Sequence, residues 1–293
     1  MNVKSFFDND TATLTYVVFD METKDAIVID PVLDYDPKSS VYSTRSVDQV
    51  VEFVTSNQLT LHYILETHAH ADHLSGAQFL KQHYPSAIVA IGKNIQLVQR
   101  EFKHIFNFKD FNEQGIQFDA LLEDNSRFNA GTLTIDVMFT PGHTPACSSY
   151  LINNEAVFTG DVLFMHDYGT GRCDFPGGSS EAMYDSVTKR LYTLPDHVRV
   201  FVGHDYKPGG REVQYESTIG KQKKMNPQLN ETTTRDEFVQ MRDSRDKTLT
   251  SPKLLLQSLQ VNIDGGSLPT PEPNGVSYLK IPLRNKKQNG KSK

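Results

Sequence analysis

Thr67-His68-Ala69-His70-Ala71-Asp72-His73 packs three imidazoles and a carboxylate into seven residues. It follows the apolar run Tyr63-Ile64-Leu65, which reads as a buried strand. It precedes Leu74 to Tyr84, where Leu74, Ala77, Phe79 and Leu80 recur at helical spacing. The cluster therefore sits on a strand-to-helix loop, where alternate residues can fan around one point. Neutral imidazole and carboxylate are ligands for Zn, Fe or Mn. The bland reading is a solvated His-rich loop, and partners elsewhere in the chain decide between the two.

At 293 residues the chain is long for one domain, yet one large α/β core with appended elements can hold it. We read residues 1–283 as a single domain with a C-terminal extension from about 227, and 284–293 as a basic, disordered tail. A hydrophobic share of 38% and a charged share of 23% describe an ordinary globular protein, not a disordered or membrane one. The net charge of −6 argues against a nucleic-acid partner, because phosphate binding needs basic surface. Cys147 and Cys173 are the only cysteines, so no disulfide framework is implied and a reducing compartment is the default. Met1 to Asp10 has no apolar signal-peptide core, and no apolar run approaches a membrane span. The expectation is a cytoplasmic protein without a membrane partner; a homodimer is a common enough state to expect.

Leu14 to Phe19 and Ala26 to Ile29 read as strands joined by a polar hairpin connection, the second ending at Asp30-Pro31. Pro31 to Ser40 is polar and turn-rich and reads as a loop. Ser46 is placed to cap a helix through Asn57, with Val47, Val50, Val51 and Val54 on one face. Ala87 to Ile91 reads as a buried strand and Asn94 to Lys103 as a helix. Phe102, Phe106, Phe108 and Phe111 begin an aromatic stretch that fills core or covers a cleft, core being favoured. Strands follow at Thr134 to Phe139, Ser148 to Ile152 and Ala156 to Phe158, the last two joined by the hairpin signal Asn153-Asn154. Ser180 to Leu194 reads as a helix and Val198 to Val202 as a strand. Glu212 to Lys224 and Arg235 to Lys247 read as polar helices, Leu254 to Ile263 as an apolar run, and Val276 to Leu283 as an edge strand.

Three further donors stand just after strands, in turn-like sequence. His143 lies in Thr140-Pro141-Gly142-His143-Thr144, Asp161 in Thr159-Gly160-Asp161, and His204 in Val202-Gly203-His204-Asp205. Functional groups gather where loops leave strand ends, and glycine lets backbone approach an ion closely. One such histidine would mean little; three ends plus the opening loop make a metal centre the reading. His62, His83, His104 and His197 lack this context and read as surface or core residues. His166, near Asp161, is a candidate for the pocket lining. Cys147 reads as a small buried residue. Cys173, next to Arg172, is either structural or a thiol whose pKa that charge lowers.

The order His-x-His-x-Asp-His, Pro-Gly-His-Thr, Thr-Gly-Asp, Gly-His resembles the metallo-β-lactamase superfamily across residues 14 to about 226, with all seven ligand-type positions intact. The resemblance implies a four-layer αββα sandwich of the α/β class, with metal between loop ends of two sheets. It implies one metal site from His68, His70 and His143, a second from Asp72, His73 and His204, and Asp161 as bridge. Asp30 would support the ligands from outside their shell.

Two zinc ions on such a set would give hydrolysis of thioesters or lactones. One Fe(II) on two His and a carboxylate leaves positions for substrate and O₂. Gly171-Arg172-Cys173-Asp174-Phe175, His204-Asp205-Tyr206 and Asn226-Pro227 resemble the persulfide dioxygenase branch, related to glyoxalase II. The long C-terminal segment looks like its bacterial subgroup. That branch implies a single iron on His68, His143 and Asp161, oxidising a thiol persulfide with O₂ to sulfite and thiol. Asp72 and Asp161 would be the catalytic carboxylates. Arg172 is the candidate to hold an anionic substrate, its alternative being a salt bridge to Asp174 or another acid; Tyr206 either lines the pocket or packs. The alternative function is a dinuclear zinc hydrolase of glutathione thioesters or lactones.

Overall fold

A computed structural model describes residues 1–283; the tail 284–293, expected to be disordered, lies outside the described residues. Strict alternation organises the first sheet. In β2 (Leu14–Phe19) and β3 (Asp25–Ile29), Leu14, Tyr16, Val18, Ile27 and Ile29 face one core, whereas Val17, Phe19, Ala26 and Val28 face another. A strand buried on both faces must be sandwiched between layers. β1 (Asn2–Phe7) pairs antiparallel with β2, while β6 (Thr60–Glu66) joins β3 in parallel. β8 (Ile88–Gly92) and β9 (Ala120–Leu122) complete the order β1-β2-β3-β6-β8-β9.

The helices between these strands cover the outer face. α1 (Arg45–Ser56) buries Val47, Val50 and Val54, α2 (Ala77–His83) Ala77 and Leu80, and α3 (Ile95–Phe106) Ile95, Val98, Phe102 and Phe106. The second sheet runs in the order β10 (Arg127–Ala130), β11 (Leu133–Phe139), β12 (Ser148–Ile152), β13 (Ala156–Phe158), β14 (Arg199–Phe201), β15 (Glu216–Thr218). Its Ile135, Val137, Tyr150, Ile152 and Phe158 share the inner core with β2 and β3, and that core extends to α4 (Ser180–Lys189) and α6 (Arg235–Asp246) through Met183, Val187 and Phe238. The layers are therefore αββα, as the resemblance implied. α5 (Ile219–Met225) follows β15, and α7 (Leu255–Asn262) carries Leu259 and Val261 into the first sheet's helix layer.

Several expectations are corrected. Pro31 to Ser40 is not all loop: β4 (Val32–Asp36) sits between β5 (Val41–Ser43) and β7 (Leu74–Ser75) in a small third sheet. β7 delays the helix after the His-rich loop until Ala77. Ser46 does not cap α1; its N–H and hydroxyl donate to Asp34 at 2.8 and 2.9 Å, so a carboxylate of β4 serves the first turn instead. Glu212 to Thr218 is not helical: Glu216 to Thr218 form β15, the antiparallel partner of β14, and the helix begins only at Ile219. Val276 to Leu283 is no edge strand: its Lys280 N–H donates to the Gln260 side chain, at 2.7 Å, instead of to a ladder. The aromatic stretch fills core through Phe102, Phe106 and Phe118. Asn153 and Asn154 both take left-handed φ values, 53° and 56°, as a tight hairpin requires.

Candidate metal centre

β6 ends at Glu66, and the chain then passes irregularly through His68, His70, Asp72 and His73 before β7 begins. The second sheet meets it with His143 after β11, Asp161 after β13 and His204 after β14. All seven predicted donors converge. His143 Nε2 lies 3.5 Å and His68 Nε2 4.0 Å from Asp161 Oδ2. His204 Nε2 lies 3.4 Å from Asp161 Oδ1 and 3.3 Å from Asp72 Oδ2.

The glycines matter here. Gly160 is left-handed, and a Cβ on it would meet Thr67 Oγ1 at 2.5 Å; one on Gly203 would meet Asp161 Oδ1 at 2.8 Å. The end of β13 thus closes on the first sheet's loop, and the end of β14 on that of β13, with no room for a methyl group.

The donors fall into groups. His68, His143 and Asp161 offer atoms within 4.8 Å of one another, as do His70, Asp72 and His73, and also Asp30, Glu66 and His70. His68 Nε2, His70 Nδ1 and Nε2, His73 Nε2 and Asp161 Oδ1 are buried without a hydrogen-bond partner. Buried polar atoms are rarely left unpaired, and the lone pairs of His68 Nε2, His73 Nε2 and Asp161 Oδ1 fit a cation. The residues therefore fit a metal ion, one or two in number.

Surrounding groups set the tautomers. Asp30, at a left-handed φ of 50°, accepts from Thr67 N at 2.7 Å and from the Thr67 hydroxyl at 2.8 Å. With its one hydroxyl proton so committed, Thr67 Oγ1 can only accept from His68 Nδ1, 3.0 Å away, which frees His68 Nε2 as a lone pair. His143 Nδ1 donates to the Arg172 carbonyl at 2.7 Å, and His73 Nδ1 to the Leu74 carbonyl at 2.9 Å. Thr13, unseen as a site residue in the sequence, donates to Asp72 at 3.2 Å.

His70 is treated differently. Its Nε2 lies 3.1 Å from Asp30 Oδ1 and 3.5 Å from Glu66 Oε2, all three side chains being buried. Burial opposes its charged form, but Asp30 and then Glu66 outweigh burial and push the imidazole well above its usual range. Burial, reinforced by the surrounding imidazoles, pushes His68 well below it and His73 down to about 4. Glu66 carries no motif in the sequence; only its strand-end place beside the loop could have flagged it.

The donors open into a cavity of about 370 Å³ lined by Asp72, His143, Asp161 and His204, walled by Phe164, Tyr168 and Tyr206, with Arg245 and Lys253 also on its lining. Tyr206 stacks on His204 with ring centroids 5.4 Å apart and is 46% exposed. Arg172 also lines the cavity, but its guanidinium donates to both Asp174 oxygens, at 2.5 and 2.6 Å, and to the Thr250 carbonyl. The salt bridge to Asp174 is thus its observed partner. His166 is outside the lining and faces Ser217 at 3.1 Å. His62 pairs with Asp25 at 2.7 Å, on the far end of the sandwich from β6's carboxyl end. Cys147 is buried as read. Cys173 is buried as well, and burial raises its thiol pKa, so of its two readings the structural one fits.

An αββα sandwich with histidines and carboxylates at the ends of both sheets defines a metal-binding class of protein. The chain belongs to the metallo-β-lactamase superfamily, a group of metal-dependent enzymes, whose family model matches residues 8–204. It is 46% identical to glyoxylase B2 of Dictyostelium discoideum, over 98% of each chain. It is 30% identical to the mitochondrial persulfide dioxygenase ETHE1 of Bos taurus, over 82% of this chain and 80% of that one. Among solved structures, ETHE1 from Myxococcus xanthus superposes with a TM-score of 0.73 at 30% identity, over 91% of this chain and all of that one.

Proposed function

We propose that the chain is a mononuclear non-haem iron dioxygenase of low-molecular-weight persulfides, such as glutathione persulfide. The observation that carries this reading is the unequal setting of two neighbouring imidazoles. His68 presents a free Nε2 to Asp161 and His143, whereas two buried carboxylates face His70 Nε2. His68, His143 and Asp161 together offer two imidazoles and one carboxylate within 4.8 Å of one another, a set suited to Fe(II) with open positions. The relatives called persulfide dioxygenase and ETHE1 support the same reading.

Fe(II) held by His68, His143 and Asp161 would supply the activation of O₂. In the overall change persulfide, O₂ and water give thiol, sulfite and two protons, the outer sulfur being oxidised as O₂ is reduced. The chain's own residues bind and shield. Burial opposes the charge of Asp72, but His204 and then His73 hold its carboxyl down at about 2, so it stays a fixed negative charge on the cavity floor, 3.3 Å from the His204 imidazole. Phe164, Tyr168 and Tyr206 limit water on one side, and the Tyr206 hydroxyl is available to the substrate. Arg245 and Lys253 give a positive lining suited to an anionic thiol, and Arg172, paired with Asp174, stands on the same lining. The buried, unpaired cysteines agree with a cytoplasmic setting.

A second reading, a dinuclear zinc hydrolase of thioesters, is favoured by one observation: His70, Asp72 and His73 also gather their donors within 4.8 Å. The glyoxylase B2 relative supports it. Metal analysis of anaerobically purified protein, with O₂ uptake and sulfite formation on glutathione persulfide, separates the two. About one iron per chain with O₂ consumption is expected; two zincs without O₂ uptake would overturn the oxygenase.

A further inference from the structure

Asn262 closes α7 and is 4% exposed, 189 residues from His73 in sequence yet in direct contact with its loop. Its Nδ2 donates to the carbonyls of both His70 and His73, each at 2.8 Å, and its Oδ1 accepts from Ser75 N at 2.8 Å. Two carbonyls on one side and an N–H on the other admit a single amide orientation, so the three bonds define one another. The helix that carries this side chain is itself fixed. Leu259, Val261 and Ile263 are fully buried, and Gln99 donates to the Ile263 carbonyl at 2.8 Å. Gln78 donates to the Gly265 carbonyl at 2.9 Å. The loop it holds has no ladder or helix of its own between Glu66 and Leu74.

We propose that Asn262 is a positioning residue of the metal centre. Through this one carboxamide the C-terminal helix fixes the backbone at His70 and His73, and with it the reach of every donor between His68 and His73. Outer partners that orient ligands are worth about 10- to 100-fold in metal affinity when removed. The inference rests on the loop being a metal site and holds for one iron or two zincs.

The test uses the full chain loaded with Zn(II) and follows metal transfer to excess chromogenic chelator. Asn262→Asp keeps the acceptor for Ser75 but loses both donors; Asn262→Ala loses all three bonds. Ser258→Ala removes a buried hydroxyl bonded to the Leu254 carbonyl, on the same helix but away from the loop. Both Asn262 variants should transfer zinc about 10- to 100-fold faster, while Ser258→Ala matches the parent even where its metal-free melting temperature falls equally. Transfer from Asn262→Asp at the parental rate, or equal acceleration by Ser258→Ala, would overturn the proposal. Should neither Asn262 variant fold, amide exchange in the unaltered metal-free protein decides. The Ser75 N–H should open together with α7, and its opening independently of α7 would overturn the proposal. Neither readout involves O₂, so its failure leaves the oxygenase reading untouched.

Discussion

The two sheets supply the metal centre by different means. The first delivers four donors from one irregular loop, within His68 to His73; the second delivers His143, Asp161 and His204 singly, from the ends of β11, β13 and β14. A donor at a strand end inherits its place from the ladder behind it, and needs only glycines at 160 and 203 to come close. A loop has no ladder, so its donors are held from outside, by Asp30 through Thr67 and by Asn262 from the other end of the chain. Density in sequence and rigidity in space are therefore opposites here.

The sharpest way to break this comparison is to remove one donor from each side. His68→Ala and His143→Ala should each abolish iron retention and turnover, measured as metal per chain after desalting and as O₂ uptake. His70→Ala should retain one iron; equal loss in all three variants would erase the distinction between the imidazoles. Next in size is Gly171→Ala, whose Cβ would lie 2.1 Å from the Asp161 carbonyl. Moving that strand end should cost about 1–3 kcal/mol in urea unfolding and reduce metal content, whereas Gly209→Ala, with no heavy atom near, should spare the metal.

Asp25→Ala tests the latch between the sheets away from the metal. Asp25 accepts from Thr132 N at 2.9 Å, the Thr132 hydroxyl at 3.0 Å and His62 at 2.7 Å, joining β3 to the β10–β11 turn. Its loss should cost about 2 kcal/mol with metal binding intact. Burial opposes ionisation, but His62 and then the Thr132 N–H hold this carboxyl down at about 2. The contribution is therefore complete above the unfolded value of about 3.9 and fades as pH falls toward 2, so wild type and variant should converge there in unfolding experiments.

A last comparison sets His70 against His73 in the metal-free protein. His73, held at about 4 by burial and the His70 charge, favours the folded state above pH ~6.5 and loses that contribution as pH falls toward 4. His70, raised by Asp30 and Glu66 against burial, contributes fully below ~6.5 and loses it as pH rises through its folded value. Replacing each by Gln should thus tilt the stability-versus-pH curve in opposite directions; parallel shifts would show that the two imidazoles share one environment.

His143, Asp161 and His204 are legible because each follows a glycine at a strand end, and the four loop donors because they crowd into seven residues. The strands β2, β3, β12 and β13 are legible for a related reason, since runs buried on both faces or closed by Asn153-Asn154 declare themselves locally. What stays hidden depends on a distant partner. β4 and β7 are short and half polar, and exist because they pair with each other. Thr13, Glu66 and Asn262 are ordinary residues until the fold sets them against the loop; Asn262, a polar residue within Val261-Asn262-Ile263, offers only the faint signal of an amide amid apolar neighbours. Arg172 shows the converse, a charge whose adjacent acid was visible in sequence and which the fold commits to it.

Both sulfhydryls lie inside the sandwich, and burial pushes the Cys147 thiol up to about 12 and raises that of Cys173. A protein that handles sulfane sulfur meets an electrophile able to mark any exposed thiolate in its path. This chain offers none among its described residues, so native protein should take up no maleimide and acquire no mass from polysulfide, while urea-unfolded protein should react at two positions. On the proposed persulfide reading, the substrate would leave the enzyme's own thiols unmodified.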